Sequence, residues 1–178
     1  MKKSIVFLFT LLFMVCAYAQ NFEHMKFMGI PMGISINSFH KNILAKGMKY
    51  ELKDTEILGN GTARIYSGIF AGYKADCYVY FNHNSKKVYR AKAVISKDEL
   101  QQAENVYSDL YHMLNSKYDN ATQWDLDEEI KGKVFSISTG RIECYIHKFT
   151  NPFRYAIFID YYDLIESFFN DKDRQEDL

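Results

Sequence analysis

The sequence predicts an α+β fold, in which helices pack on one face of an antiparallel meander sheet. One observation is the apolar spacing of three and four residues after Ser35, which is typical of a helix. Another is the period of two between Met48 and Ser96, which is typical of half-buried strands. A third is that connections such as Asn60-Gly61 are too short for the crossovers that parallel strands need.

The first half of the chain begins with an extended piece that turns at Gly33. A helix follows, and Gly47 is well placed to end it in a left-handed conformation. Its apolar stripe consists of Ile36, Phe39, Ile43 and Leu44. The strands between Met48 and Ser96 are separated by turns at Asn60-Gly61, Ala71-Gly72 and 83–86.

At the junction with the second half, Ser96 and Glu99 match a capping box and predict the longest helix of the chain. The buried stripe of this helix is predicted to be Leu100, Ala103, Val106, Tyr107, Leu110, Leu114 and Tyr118. Three more strands are predicted at 133–138, 141–149 and 153–161, and a short helix at 164–169.

The two halves share a local pattern 67 positions apart. Both Ala75-Asp76-Cys77-Tyr78-Val79 and Ile142-Glu143-Cys144-Tyr145-Ile146 read as an apolar residue, an acid, Cys, Tyr and a branched residue. Two alternatives are open: tandem helix-plus-meander repeats over 34–96 and 97–165, or a chance match within one unit.

Residues 1–19 are typical of a secretory signal peptide. Lys2 and Lys3 precede an apolar run that is too short for a comfortable membrane span, and Ala17-Tyr18-Ala19 matches a cleavage site. The sequence therefore predicts a single domain over 20–170, a charged tail over 171–178, and a periplasmic or secreted location. No transmembrane helix is expected in the mature chain.

Composition excludes two classes of protein. The chain has 22 basic and 22 acidic residues, and removal of Lys2 and Lys3 leaves 20 against 22, a net charge of minus two. A strongly basic nucleic-acid binder is therefore not expected. With 14 Tyr, 14 Phe and one Trp, the chain has enough rings for a sizeable core, which excludes a disordered protein.

Two cysteines, Cys77 and Cys144, remain once the signal peptide is removed. An oxidising export pathway permits a disulfide between them. Because both lie on the apolar side of strand-like alternations, the sequence slightly favours the alternative of two buried thiols that act as small hydrophobic residues.

No sequence signature of catalysis or of a cofactor is found. The acidic run Asp125, Asp127 and Glu129 lacks the glycine that a calcium-binding EF-hand loop requires, so neither a metal nor a cofactor is expected. A dispersed hydrolase site remains as an alternative. It would use Asp76, Glu143 and His147, whose phase places all three on the outward side of their strands.

Tyrosine supplies the most unusual pattern. Tyr66, Tyr78, Tyr80 and Tyr145 alternate with small apolar residues, so that one sheet face is predicted to present a row of rings. Such a row suits the binding of a protein, a peptide or a glycan. The alternative is that helices cover the rings and make them part of the core.

A distinctive set of residues occupies the first half of the chain. It consists of Glu23-His24-Met25-Lys26-Phe27-Met28-Gly29-Ile30-Pro31-Met32-Gly33, then Ile36, Phe39 and Lys46-Gly47, and finally Gly68-Ile69-Phe70-Ala71-Gly72-Tyr73. They resemble a group of small exported proteins from gut anaerobes that have no assigned function. The resemblance carries turn and packing residues and implies no active site. The helix-then-meander layout is also similar, at the level of the fold, to beta-lactamase inhibitor proteins, without implying inhibition.

The sequence thus favours an exported, non-enzymatic binding module whose partner is a protein, a peptide or a glycan. The rival hypotheses are the dispersed hydrolase and a structural subunit of a surface assembly.

Overall fold

The computed structural model describes residues 23–59, 61–126, 131–150 and 153–168. The predicted signal peptide (1–19), the charged tail (171–178) and residues 127–130 of the acidic run lie outside the described residues. The strands are β1 (Lys26–Phe27), β2 (Ile30–Pro31), β3 (Lys49–Tyr50), β4 (Ala63–Phe70), β5 (Tyr73–Phe81), β6 (Val88–Lys97), β7 (Thr122–Asp125), β8 (Gly132–Ile137), β9 (Gly140–Thr150) and β10 (Phe153–Asp163). The helices are α1 (Ile36–Ala45), α2 (Leu52–Leu58) and α3 (Leu100–Lys117), and residues 164–168 are also helical.

The sheet confirms the prediction of an α+β fold with a large antiparallel sheet. Its eight strands have the order β3-β4-β5-β6-β10-β9-β8-β7, and every neighbouring pair is antiparallel. Each half of the chain contributes four consecutive strands. The two sets meet at the centre of the sheet, where β6 pairs with β10.

Helix α1 begins where its sequence predicts. The hydroxyl oxygen of Ser35 accepts a hydrogen bond from the backbone N–H of Ser38 at 3.2 Å, which satisfies one of the free donors at the helix start. Gly47 follows the helix with φ of 84°, a conformation that favours glycine. Ile36, Phe39 and Ile43 are buried, whereas the predicted core residue Leu44 is 39% exposed.

Two predictions about helices are wrong. Ser96 does not cap α3, because it remains in β6 and pairs with Ala156; the N-cap of α3 is Glu99, which makes no side-chain capping bond. Helix α2 occupies a segment that the sequence assigned to strands. It has no buried residue, and its Ile57 is 82% exposed, so no apolar periodicity marks it as a helix.

Register divides the side chains of the sheet between two faces. One row, from β5 across β6 and β10 to β9, consists of Cys77, Ala93, Ile159 and Cys144. The adjacent row on the other side of the sheet consists of Tyr78, Lys92, Asp160 and Glu143. We call these the cysteine face and the tyrosine face, each including the residues in phase with its row. Buried residues of the cysteine face, of α1 and of α3 belong to a single hydrophobic cluster.

The two cysteines are free thiols, so the alternative of a disulfide is wrong. They lie in one row but three strand spacings apart, roughly 14 Å, whereas a disulfide needs Cα atoms within about 7 Å. Burial raises the pKa of each thiol to about 12. Cys77 and Cys144 therefore act as small core residues.

Candidate functional site

The structure places three of the four predicted binding tyrosines on one face of the sheet. Tyr78, Tyr80 and Tyr145 lie on the tyrosine face, and each is partly exposed. The ring of Tyr145 stacks on Phe158 with centroids 5.0 Å apart. Burial raises the pKa of Tyr145 to about 12, so its hydroxyl stays protonated at neutral pH.

Tyr66 is the exception, and its assignment to the same row is wrong. It pairs with Cys77 and therefore lies on the cysteine face, where it is 0% exposed. Its hydroxyl is hydrogen-bonded to Nδ1 of His40 at 3.0 Å, and burial raises its pKa to about 12. Tyr66 is a core residue with a satisfied hydroxyl.

A row of alternating tyrosines and arginines crosses the tyrosine face. In the order of the strands β5, β6, β10 and β9, it consists of Tyr80, Arg90, Tyr162 and Arg141. The guanidinium carbon of Arg90 lies 5.0 Å from the Tyr80 ring centroid and 4.7 Å from that of Tyr162. That of Arg141 lies 4.6 Å from the Tyr162 ring. Each cation is thus held against a ring at cation–π distance.

An irregularity in β6 shapes one end of this row. Tyr80 pairs with Arg90, but the next residue, Phe81, pairs with Val88, so Tyr89 is the extra residue of a bulge. Bulges re-aim side chains next to sites. Here the bulge brings Tyr89 and Arg90 to the lining of one cleft at the end of the tyrosine face.

Asp160 lies on the tyrosine face in the row next to these tyrosines and arginines, and it is 0% exposed. Its two oxygens accept hydrogen bonds from Arg90, from Nε at 2.9 Å and from Nη2 at 2.5 Å. The hydroxyl of Tyr162 donates to Oδ2 at 3.2 Å. Because both carboxylate oxygens are occupied and buried, Asp160 positions Arg90 and Tyr162 rather than presenting a reactive group.

Two further charges lie beside Asp160. Glu143 is 14% exposed, and its Oε1 lies 3.0 Å from Nε of Arg141. Burial raises the pKa of Glu143, with Arg141 opposing the shift. Burial also lowers the pKa of Lys92, whose ammonium lies 5.3 Å from the ring centroids of both Tyr78 and Phe158.

A cleft of about 720 Å³ opens at the end of the tyrosine face where the tyrosine–arginine row runs. We call it the arginine cleft; its main side chains are Tyr80, Tyr89, Arg90, Trp124, Arg141 and Tyr162. Trp124 is 45% exposed and makes no ring contact within the described part of the chain. Ser167 also lines the cleft, and its hydroxyl oxygen is buried with no hydrogen-bond partner in the part of the chain that the structure describes.

Gly140 forms part of the wall of the cleft. A Cβ atom at this position would clash with the carbonyl oxygen of Tyr162 and approach Cε of Met25. The absence of a side chain therefore permits the close approach of β9 to the end of β10, where the cleft begins.

The three residues of the hydrolase hypothesis do not form a joint site. Asp76, Glu143 and His147 share the tyrosine face, as predicted. However, β5 and β9 are three strand spacings apart, roughly 14 Å, and Glu143 and His147 are separated by roughly 13 Å along β9. Within the described ranges, no group of three or more His, Cys, Asp or Glu side chains is placed to hold a metal ion.

Sequence reasoning missed Arg90, Arg141, Tyr162 and Trp124. The local signal was present for two of them, because Arg90 and Arg141 occupy outward positions on their strands. Their convergence depends on the pairing of β6 and β9 with β10, which the residues of any one strand do not encode.

The chain matches no protein family model, no curated protein and no solved structure. Its site is therefore characterised by its own geometry. Across the described residues, no helix is long and apolar enough to cross a membrane.

Proposed function

We propose that the protein is an exported, non-enzymatic binding module that holds its partner on the tyrosine face. The observation that carries this proposal is the arginine cleft, where the buried carboxylate of Asp160 holds Arg90 and Tyr162 in place and Glu143 pairs with Arg141. Fixing these side chains before binding lowers the entropy cost of forming an interface. Tyr, Trp and Arg are also the residue types that dominate binding energy in protein interfaces.

We infer that α1 and α3 both pack on the cysteine face, which leaves the tyrosine face accessible. Support comes from the hydrophobic cluster, in which Phe39 of α1 and Leu110 of α3 are buried together with Cys77 and Cys144. On the tyrosine face, Arg141 retains 49% of its side-chain exposure. The part of this face around the arginine cleft is therefore available to a partner, with the helical residues Leu164 and Ser167 at its border.

We also propose that the chain consists of two tandem helix-plus-meander halves. The sheet order supports this. Counted outward from the central β6–β10 pair, the strands of one half follow the order β6 to β3 and those of the other half the order β10 to β7. Cys77 and Cys144 are equidistant from the central pair of Ala93 and Ile159. Such a duplication would place Tyr78 and Tyr145 in equivalent positions.

Export is inferred from the signal-like residues 1–19, and it would place the module in the periplasm or outside the cell. There its partners would be envelope or extracellular proteins, peptides or glycans. Fractionation of cells that produce the full chain tests this location. Recovery of an unprocessed chain from the cytoplasm alone would contradict it.

The proposed function is tested by immobilising the chain from Gln20 onwards and presenting envelope extract and glycan fractions. We expect retention of a partner that is reduced in Trp124→Ala but not in Met113→Ala. These residues make a matched pair, because they are 45% and 48% exposed and lie on β7 and α3. Retention of nothing above an unrelated control protein would refute the proposal.

The rival functions make different predictions. A structural subunit would associate with rising concentration in light scattering; the outermost strands of the sheet, β3 and β7, have only two and four residues, which offers little edge for pairing. A dispersed hydrolase would lose turnover on alanine substitution of Asp76, Glu143 or His147. Their separation across the sheet gives this alternative little support.

A further inference from the structure

The arginine cleft has the chemistry of a site for acidic sugars. We propose that it binds a glycan that bears carboxylate groups, with the carboxylate on Arg141 and Arg90 and a sugar ring against Trp124. This inference rests on the proposed binding function and specifies the ligand. The volume of the cleft, about 720 Å³, lies within the usual range of small-ligand sites.

The charge that the cleft offers to a ligand is positive. Arg90 and Arg141 line it, whereas Asp160 and Glu143, which hold them, do not. The carboxylate that does line the cleft, Asp163, is 0% exposed, and its oxygens accept from the backbone N–H groups of Met25 and Glu166 and contact His24. A ligand in the cleft therefore meets cations and no free carboxylate among these residues.

Both arginines keep donors available. A guanidinium has five N–H groups in a planar fork that matches a carboxylate. Arg90 uses Nε and Nη2 for Asp160, which leaves Nη1. Arg141 contacts Glu143 through Nε, and its two terminal nitrogens have no partner among the described residues. Stacking on Tyr162 fixes the plane in which these donors point.

The rest of the cleft suits a sugar better than a small inorganic anion. The ring of Trp124, 45% exposed and without a ring or cation–π contact among the described residues, offers a flat apolar surface beside the hydroxyl groups of Tyr80 and Tyr162. The hydroxyl oxygen of Ser167, another lining residue, is buried and has no hydrogen-bond partner among the described residues, and leaving such a group unpaired costs free energy. A neutral polar group such as a sugar hydroxyl is the kind of partner that this oxygen lacks.

The test uses Trp124 as its reporter, since it is the single tryptophan of the chain. Tri-galacturonate, a hyaluronan tetrasaccharide and sialyllactose are titrated into the chain from Gln20 onwards, with emission and calorimetry as readouts. Each glycan is compared with its methyl ester, which keeps the sugar and removes the charge. We expect at least one acidic glycan to bind and to change Trp124 emission, and its ester to bind roughly tenfold or more weakly.

Two variants locate the site. Arg141→Gln should weaken binding roughly tenfold or more, because it removes a charge-assisted fork. Arg154→Gln is the matched control: Arg154 is exposed on the same face, 5.3 Å from the ring of Phe149, but does not line the cleft. Its affinity should equal that of the unaltered chain. Unfolding curves confirm that both variants are folded.

Several results would overturn the proposal: binding of none of the three glycans, equal binding of acid and ester, equal loss in both variants, or equal binding of tetraglutamate, which would indicate recognition of charge alone. If these occur while envelope material is still retained through Trp124, the ligand class is wrong and the binding function stands. If nothing is retained in that assay either, both proposals fail.

Discussion

The two faces of the sheet differ in the interactions that their side chains make. On the cysteine face, small and branched residues such as Ala93 and Ile159 are buried in the hydrophobic cluster. On the tyrosine face, Asp160 follows Ile159 directly and Arg90 lies three positions before Ala93, and the two side chains are joined by paired hydrogen bonds. The same strands therefore supply stability on one side and fixed, partly exposed polar groups on the other.

The largest expected contrast concerns thiol reactivity. Both Cys77 and Cys144 are 0% exposed, and burial raises the pKa of each to about 12, so a thiol reagent should modify the native chain from Gln20 onwards at least about a thousandfold more slowly than the unfolded chain. Mass spectrometry at neutral pH, with and without denaturant, measures this. A mass two hydrogens short before reduction would show the disulfide that the structure lacks.

Adjacent residues of β10 compare the two faces directly. Ile159→Ala should lower the free energy of unfolding by about 4 kcal/mol, because it leaves a cavity in the hydrophobic cluster. Phe158→Ala, on the tyrosine face, should cost about 1.5 kcal/mol, chiefly through its lost stacking with Tyr145. Denaturant unfolding measures both. Equal losses would mean that the tyrosine face is packed as tightly as the core.

The buried carboxylate should also support the fold. Asp160→Asn leaves Arg90 without its charged partner and should lower the free energy of unfolding by about 2 kcal/mol, a moderate value because Arg90 is 29% exposed. The control is Asp125→Asn, which removes an exposed pair with Lys133 and should change nothing measurable. Equal losses of unfolding free energy in the two variants would mean that Asp160 does not hold Arg90 and Tyr162 in place.

The smallest expected effect is a pH dependence at Glu143. Burial raises the pKa of this carboxyl in the folded chain, so the contribution of Glu143 to stability is full at low pH and falls as the pH rises through its folded pKa. Glu143→Gln does not titrate. From about pH 4 towards neutrality, the unfolding free energy of the variant should therefore rise relative to that of the unaltered chain. A relative fall over this window would mean that the ion pair with Arg141 outweighs burial.

The sequence alone predicted those helices and strands that are defined by residues close together along the chain. The alternation of Cys77 and Tyr78 gave their faces correctly, and Ser35 and Gly47 marked the ends of α1. Tyr66 was placed on the wrong face because Ile65 and Tyr66 are both buried, so polarity does not alternate there. The arginine cleft was missed because it depends on the register of strands distant in sequence, as in the pairing of Arg90 with Tyr162.

The central claim is that partners bind the tyrosine face and not the helices. Hydroxyl-radical footprinting of the chain from Gln20 onwards, with and without the retained envelope fraction, tests it most directly. We expect protection of Trp124, Tyr80 and Tyr162, with Leu100 and Met113 of α3 unchanged. Protection of α3, with the tyrosine face as reactive as in the free protein, would contradict the account.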